Sequence, residues 1–365
     1  MDKQNIHIIG SGWASVGFLK NIDTNKYNVT VISDNLKFCY TPLLAYNCTN
    51  NINLEEDITS INPNIKTIKS KIIDIDINNN KIIDIDNSNI NYDYLIFAHG
   101  SDVNTFNIKG IKENTFFLKT YDDSIKIKNK ISSLKENSRI AIIGCGPTGS
   151  ELIGNLLDNN NNNYNILAID GFKKPLTMYP EKISDYTLDI WKNFNITTFF
   201  NNFVNKVDKN NIYFKDTNIS YDMAIWCGGI KSNKLTNNIN NKLNNNCKFG
   251  IPVSNTLNVI SPKFNFSNIF AIGDCSYSKL PSTAQVAYQH GQYLANNFNK
   301  DFKNINNFKY QDKGKICYIG NSKSVFHINY FHYGGNLTHY LNKFIHIYNA
   351  VNLNQKTSFM HNFIF

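Results

Sequence analysis

The stretch Ile6-His7-Ile8-Ile9-Gly10-Ser11-Gly12-Trp13-Ala14-Ser15-Val16-Gly17 decides the fold. A short apolar strand runs into two glycines one residue apart, and a helical pattern follows through Lys20. A second strand over 29–32 completes a strand–turn–helix–strand unit of about thirty residues, the βαβ unit that binds dinucleotides. The same grammar returns at Gly144-Cys145-Gly146-Pro147-Thr148-Gly149, between a strand over 139–143 and a helix leading to a strand over 165–170. In such a turn the first glycine permits the tight bend, and the second lets a pyrophosphate approach the backbone. The third lets helix and strand pack closely. One such motif is weak evidence; two complete units are much stronger.

The second unit has Gly144, Gly146 and Gly149, with Asp170 at the end of the following strand. A carboxylate there accepts both ribose hydroxyls and repels a 2′-phosphate, so the site is expected to prefer NADH to NADPH. The first unit has Gly10 and Gly12 but Ser15 in third place, and its second strand ends at Ser33 with Asp34 one residue beyond. Ser15 is small enough to pack. Asp34 either serves a ribose through a shifted loop or is a solvated turn residue.

Working outward, residues 66–86 alternate around Asn78-Asn79-Asn80 and read as a hairpin. Strands are expected over 94–98 ahead of Gly100, over 223–227 ahead of Gly228-Gly229, and over 269–272 ahead of Gly273-Asp274. A helix is expected over 283–297, and the asparagine run 159–163 reads as a solvated loop. From Phe308 onward two short strands and a helix are expected. There Leu337, Tyr340, Leu341, Phe344, Ile345, Tyr348 and Val351 recur at helical spacing, and Phe359, Met360, Phe363 and Ile364 continue the apolar face. That pattern fits a membrane-interface helix, a homodimer interface, or docking on its own domain.

Composition removes other classes. With 365 residues, 42% hydrophobic and 13% aromatic, the chain has a core's worth of apolar material despite roughly one Asn in six. The excess of Asn, Ile and Lys reads as codon bias of an AT-rich genome. The net charge of +9 is almost all Lys, and Arg139 is the only Arg. Without Arg forks for phosphates and guanines, no nucleic-acid partner is expected. Seven Cys show no CxxC and no zinc spacing, so reduced thiols and no metal site are expected. No run approaches a membrane span, and with a strand read at residue 6 no signal or transit peptide is expected. An intracellular protein, cytoplasmic or peripheral to a membrane, is the expectation.

The order of these segments resembles the two-dinucleotide flavoprotein oxidoreductases, and among them the type II NADH dehydrogenases. The likeness is carried by IHIIGSGWASVGFLKNID, YNVTVISDNLKFCYTPLL, INYDYLIFAHGSDVNTFNIKGI, ENTFFLKT, IAIIGCGPTGSELIGNL, DMAIWCGGIKSN, NIFAIGDCS and PSTAQVAYQHGQYLANNF, with a fainter continuation in FKYQDKGKICYIG. The resemblance implies an α/β fold of two Rossmann-like dinucleotide-binding domains, for FAD and NADH, plus a small C-terminal α+β segment with amphipathic helices. It divides the chain into 1–115 and 249–300 for FAD, 116–248 for NADH, and 301–365 for interface or membrane association. Gly10, Gly12, Ser15 and Asp34 would serve FAD, Thr41 and Pro42 would line the flavin, Gly100 would pass close to it, and Gly273-Asp274 would hold the ribitol or pyrophosphate side. Gly144, Gly146, Gly149, Asp170 and Gly229 would serve NADH. The family's quinone motif AQxAxQ stands as Ala284-Gln285-Val286-Ala287-Tyr288-Gln289. Gln285 and Gln289 share a helix face and would address one flavin–quinone region. Glu151 matches a carboxylate that the family places near the nicotinamide–flavin contact. The implied activity is hydride transfer from NADH to flavin and electron delivery to a quinone.

Three departures stand out: Ala45 where Pro commonly follows TPLL, His99 before Gly100, and Cys227-Gly228 before Gly229. His99 either titrates near the flavin or packs as an ordinary histidine. Cys39 and Cys48 are too widely spaced for the superfamily's dithiol relay. Three alternatives stay open: a sulfide:quinone oxidoreductase, which needs redox cysteines; a signalling flavoprotein like the apoptosis-inducing-factor relatives, which needs no quinone-facing amides; and a copy that binds FAD without turning over.

Overall fold

The structure, a computed structural model, describes residues 3–160, 163–194 and 196–364. Residues 161 and 162 of the expected asparagine loop lie outside the described residues. The chain forms two compact units. The first comprises Met1–Cys39, Glu55–Asp102 and Ile230–Gln311; the second comprises Tyr40–Leu54, Val103–Gly229 and Asp312–Phe365. These segments cut the chain at other points than the expected 1–115, 116–248, 249–300 and 301–365. Residues 40–54 group with the second unit because Tyr40 packs edge-on against Phe359 and its hydroxyl meets His346 Nδ1 at 3.3 Å, both on the C-terminal helices. The tail therefore has its core inside that unit.

In the first unit a six-stranded sheet runs in the order Asn258–Ile260, Asn265–Ala271, Tyr94–Phe97, Gln4–Ile9, Tyr27–Ser33, Lys66–Lys69. Every pairing but the first is parallel. The inner strands are apolar because both faces are covered: Ile6, Ile8, Val31, Ile32, Leu95, Ile96 and Phe97 are fully buried. From Gln4–Ile9 the chain pairs first to one side and later to the other, which makes the carboxyl end of that strand a topological switch point. Helix Trp13–Leu19 starts there and lies backbone to backbone against helix Ala284–Asn299. A Cβ on Gly17 would run into the Tyr288 carbonyl, and one on Gly291 into that of Ala14. This close crossing accounts for the glycine that ends the TAQVAYQHG segment.

In the second unit five strands, all parallel, run in the order Phe116–Phe117, Met223–Trp226, Arg139–Ile143, Asn165–Ile169, Thr197–Phe199. Helix Pro147–Asp158 follows the central strand, and its outer side meets strand Lys315–Gly320, where Gly154 faces Gly320.

Two local expectations are corrected. Lys66–Lys69 is the edge strand of the parallel sheet, and the hairpin is Ile72–Asp76 with Lys81–Asp84, extended by Asn89–Asn91. Alternation marks a half-buried strand but says nothing about which neighbour it pairs with. The tail holds three antiparallel strands, Lys315–Gly320, Lys323–Ile328 and Phe331–Gly335, then two helices, Asn336–Asn349 and Leu353–Ile364. The third strand hides in an aromatic run that follows a two-residue turn at Asn329 (φ 51°) and Tyr330.

The first tail helix has its amphipathicity inverted. Thr338, Asn342 and His346, at i, i+4 and i+8, are buried, while Leu337, Tyr340, Leu341, Phe344 and Tyr348 are exposed, Leu337 and Tyr348 at 73% each. In an ordinary globular helix the apolar stripe faces the core. Here the polar stripe does, held by Asn342 Nδ2 to Ser324 Oγ (3.4 Å) and by His346 to Tyr40. In the second helix Phe359 is core, whereas Leu353, Met360 and Ile364 are exposed. Among the described residues no helix is long and apolar enough to cross a membrane.

Candidate functional site

The first glycine turn forms at the switch point of its sheet. Gly10 adopts φ +111°, a conformation that L side chains avoid, and a Cβ there would press on the Ala98 carbonyl. Gly12 is the N-cap of helix Trp13–Leu19; no side chain caps that helix, and a Cβ on Gly12 would meet nothing within 4 Å. The helix start therefore leaves N–H groups facing open space, as a pyrophosphate requires. Ser15 is fully buried and its hydroxyl donates to Gly10 O at 2.7 Å, which ties helix to turn in place of the usual third glycine. Asp34 is exposed and accepts from the N–H of Asn35 (2.9 Å). Gly100 (φ +68°) also has open space where a Cβ would point, and Asp274, half-buried, accepts from Ser101 Oγ at 3.2 Å. Gly273 packs against Ala14 and Ala287. The structure thus gathers Gly10, Gly12, Gly100, Gly273 and Asp274 at the carboxyl ends of neighbouring parallel strands. Thr41 and Pro42 begin a short helical turn, Thr41–Leu43, that belongs to the second unit.

The second glycine turn repeats this geometry. Gly144 has φ +99°, Gly146 is an open N-cap without a side-chain partner, and a Cβ on Gly149 would run into the Gly144 carbonyl. Asp170 follows its strand directly; its Oδ2 accepts from the N–H of Cys145 (2.6 Å) and its Oδ1 from that of Phe172 (2.9 Å). A carboxylate has about four lone-pair sites, so two remain for ribose hydroxyls. Gly229 (φ +125°) is exposed and accepts from Asn104 N at 2.9 Å. Both turns therefore fit a dinucleotide: open helix starts, left-handed first glycines, and no side chain in the cradle.

Helix Ala284–Asn299 carries the amide pair. Thr283 caps it by accepting from Val286 N (3.2 Å). Gln285 Oε1 accepts from the Tyr310 hydroxyl at 2.7 Å. Gln289, 9% exposed, is paired with the backbone of Gln311: its Nε2 donates to the carbonyl (2.9 Å) and its Oε1 accepts the N–H (3.0 Å). The two amides share a face as the spacing requires, but Gln289 spends its amide clamping the 308–311 segment. Tyr310 is the residue the sequence reading passed over, although it lies within the FKYQDKG continuation. Next to Gln289, His290 packs edge-on against Phe308, its Nδ1 accepts from Gly273 N (3.2 Å), and burial pulls its pKa down to about 4, so the ring is neutral.

Glu151 lies on helix Pro147–Asp158 beside strand Lys315–Gly320. Burial pushes its pKa up to about 8, against a smaller opposing pull from the Tyr318 backbone N–H. The carboxyl is held protonated near neutral pH. Among the described residues Cys145, Cys227 and Cys275 form no disulfide. Burial raises Cys227 and Cys275 to about 12 and Cys145 well above its ordinary value, so these three offer no thiolate. His99 donates to or accepts from Thr236 Oγ1 through Nε2 (2.9 Å), and burial lowers its pKa to about 4. It is a neutral packing histidine.

A family model described as pyridine nucleotide-disulphide oxidoreductase matches residues 4–291. The chain is 27% identical to a probable mitochondrial NADH-ubiquinone oxidoreductase of Schizosaccharomyces pombe, over 88% of this chain and 74% of that one. Among solved structures, NDH2 of Plasmodium falciparum in complex with NADH superimposes with a TM-score of 0.91 at 26% identity, covering 100% of this chain and 98% of that one. The sulfide:quinone oxidoreductase of Aquifex aeolicus matches with a TM-score of 0.80 at 17% identity, covering 99% and 95%, a likeness of fold.

Proposed function

Because the chain belongs to the pyridine nucleotide-disulphide oxidoreductase family, we propose that it is an FAD-dependent NADH:quinone oxidoreductase. The observation that carries this reading is the complete second turn, Gly144, Gly146, Gly149 and Asp170, in a protein whose buried thiols are all held protonated. The electron donor is then a dinucleotide and not sulfide. When bound, FAD supplies the carrier that takes hydride from NADH and passes electrons to the quinone. The chain supplies position and electrostatics. Gly10 and Gly12 admit the FAD pyrophosphate to the start of helix Trp13–Leu19, and Asp274 accepts from its polyhydroxyl chain. Gly144 and Gly146 do the same for NADH, with Asp170 on the ribose. Glu151 holds a proton at neutral pH, Gln285 and Tyr310 present a hydrogen-bonded polar pair toward the quinone region, and Gln289 fixes the segment that carries Tyr310.

Anaerobic titration of the yellow protein with NADH, then addition of a short-chain ubiquinone, tests this. Bleaching followed by recovery is expected. Bleaching by sulfide and not by NADH, or a stable charge-transfer band with no recovery on quinone, overturns it.

The inverted tail helix supports peripheral attachment to the membrane in which a lipophilic quinone resides. Exposed Tyr and Phe suit the headgroup boundary, and exposed Lys356 suits anionic lipid, while Lys343 Nζ already donates to Phe363 O (3.4 Å). Co-sedimentation with anionic liposomes should fall in a Leu337→Gln/Phe344→Gln/Tyr348→Gln variant. Full retention, or a change in oligomeric state instead, would assign that face to a homodimer or to neither role.

A further inference from the structure

The two units hold the same backbone at the far end of their glycine turns, and comparing them isolates two side chains. In the first unit Gly10 N donates to Ile32 O (2.9 Å), and Ser70 N donates to Ser33 O (3.1 Å). In the second, Gly144 N donates to Ile169 O (2.8 Å), and Asn202 N donates to Asp170 O (3.1 Å). These bonds equate Ser33 with Asp170, Asn35 with Phe172, and Lys71 with Phe203. The polar pair of the first unit thus becomes a pair of phenylalanines beside the ribose acid of the second. Neither ring is buried: Phe172 is 60% exposed and Phe203 69%. Phe203 lies directly on Gly171, where a Cβ would meet the ring. Phe172 is tied to Asp170 by its own N–H and accepts from Asn201 N at 2.9 Å. The polar residues at the equivalent positions show that the fold itself does not demand apolar side chains here.

We propose that Phe203, supported by Gly171 and flanked by Phe172, is the specificity-determining platform on which the adenine ring of NADH stacks. The inference rests on the NADH reading of the second turn. Asp170 fixes the adenosine ribose, so the base attached to that ribose must lie within a few ångströms of the carboxylate. These two rings are the aromatic side chains of the segments that adjoin Asp170, each with apolar surface open to solvent. Stacking a purine on an exposed Phe removes apolar surface from both partners and uses the quadrupoles of both rings. Selection then falls on the adenosine half of the dinucleotide, remote from the hydride.

ADP-ribose, titrated calorimetrically into the FAD-loaded protein, tests this without turnover. Phe203→Ala should weaken ADP-ribose about tenfold, and Phe203→Tyr should restore it. In parallel, Phe203→Ala should raise the KM for NADH by a similar factor while leaving turnover on reduced nicotinamide mononucleotide, which lacks adenosine, unchanged. Phe203→Ala that binds ADP-ribose as tightly as the unaltered protein overturns the platform, as does an equal loss with the mononucleotide. Unaltered protein that binds ADP-ribose with this pattern, yet whose flavin is not bleached by NADH, would leave the platform standing and overturn the oxidoreductase reading alone.

Discussion

The two glycine turns are built on one backbone and differ where ligand chemistry enters. Ser15 and Gly149 occupy the same place: in the first turn a hydroxyl bonds the Gly10 carbonyl, and in the second even a methyl group would collide with the Gly144 carbonyl. The second helix therefore sits closer to its turn. Two residues further along the helices, Gly17 and Glu151 are equivalent. Gly17 meets another helix backbone to backbone, whereas Glu151 meets a strand and keeps its proton. At the strand ends Ser33 stands where Asp170 stands. What the units share is a glycine turn that fits a pyrophosphate; what separates them is the side chains around it, which the proposed reading assigns to different dinucleotides.

The comparison breaks most visibly at Gly149. Gly149→Ala forces a Cβ into the Gly144 carbonyl, an overpacking cost of about 3 kcal/mol, and should abolish bleaching by NADH while the first unit still retains FAD. Melting temperature and flavin content report the two effects separately. Asp170→Asn comes next: losing a charged acceptor for Cys145 N and the ribose should weaken NADH about tenfold and narrow its advantage over NADPH. Asp34→Asn should leave FAD binding where it was, and equal effects at the two acids would erase the distinction.

Glu151 sharpens the contrast through pH. Its folded-state pKa of about 8 lies above the ordinary 4.5, so between those values the folded chain holds a proton that the unfolded chain has released. Stability from this group is fully present below pH 4.5 and is lost as pH rises through 8. Glu151→Gln should flatten the slope of unfolding free energy against pH between pH 5 and 8, by on the order of 1 kcal/mol per pH unit. Ser15→Ala removes one buried hydrogen bond and should cost about 1 kcal/mol, measurable in denaturant, with FAD retained. At the small end, His99→Gln should leave the pH profile of flavin reduction between 6 and 8 unmoved, because the ring is already neutral there.

Much of the fold was legible in the sequence because its signals are local. Gly10, Gly12, Gly144 and Gly146 sit between apolar runs of the right period, and spacing alone places them at strand ends. Asp170 and the one-residue displacement of Asp34 also follow from strand length. The site was less legible. Gln285 and Gln289 could be set on one face by counting, yet nothing in AQVAYQ says that the backbone of Gln311 closes the second amide or that the Tyr310 hydroxyl meets the first. The periodicity of 337–351 marked an amphipathic helix without revealing which face turned inward, because a helical wheel gives a stripe and not its partner. Asn342 answers to Ser324 and His346 to Tyr40, the latter some three hundred positions away.

By itself, then, the sequence determined two βαβ units with glycine turns, since backbone conformation at glycine and the packing period of short apolar strands are set within a few residues. Tertiary structure alone decided which polar groups remain open to a ligand, which helix face is left uncovered, and which carboxyl keeps its proton. Each of those depends on desolvation and hydrogen bonding by residues far off in the chain, and no local pattern encodes them.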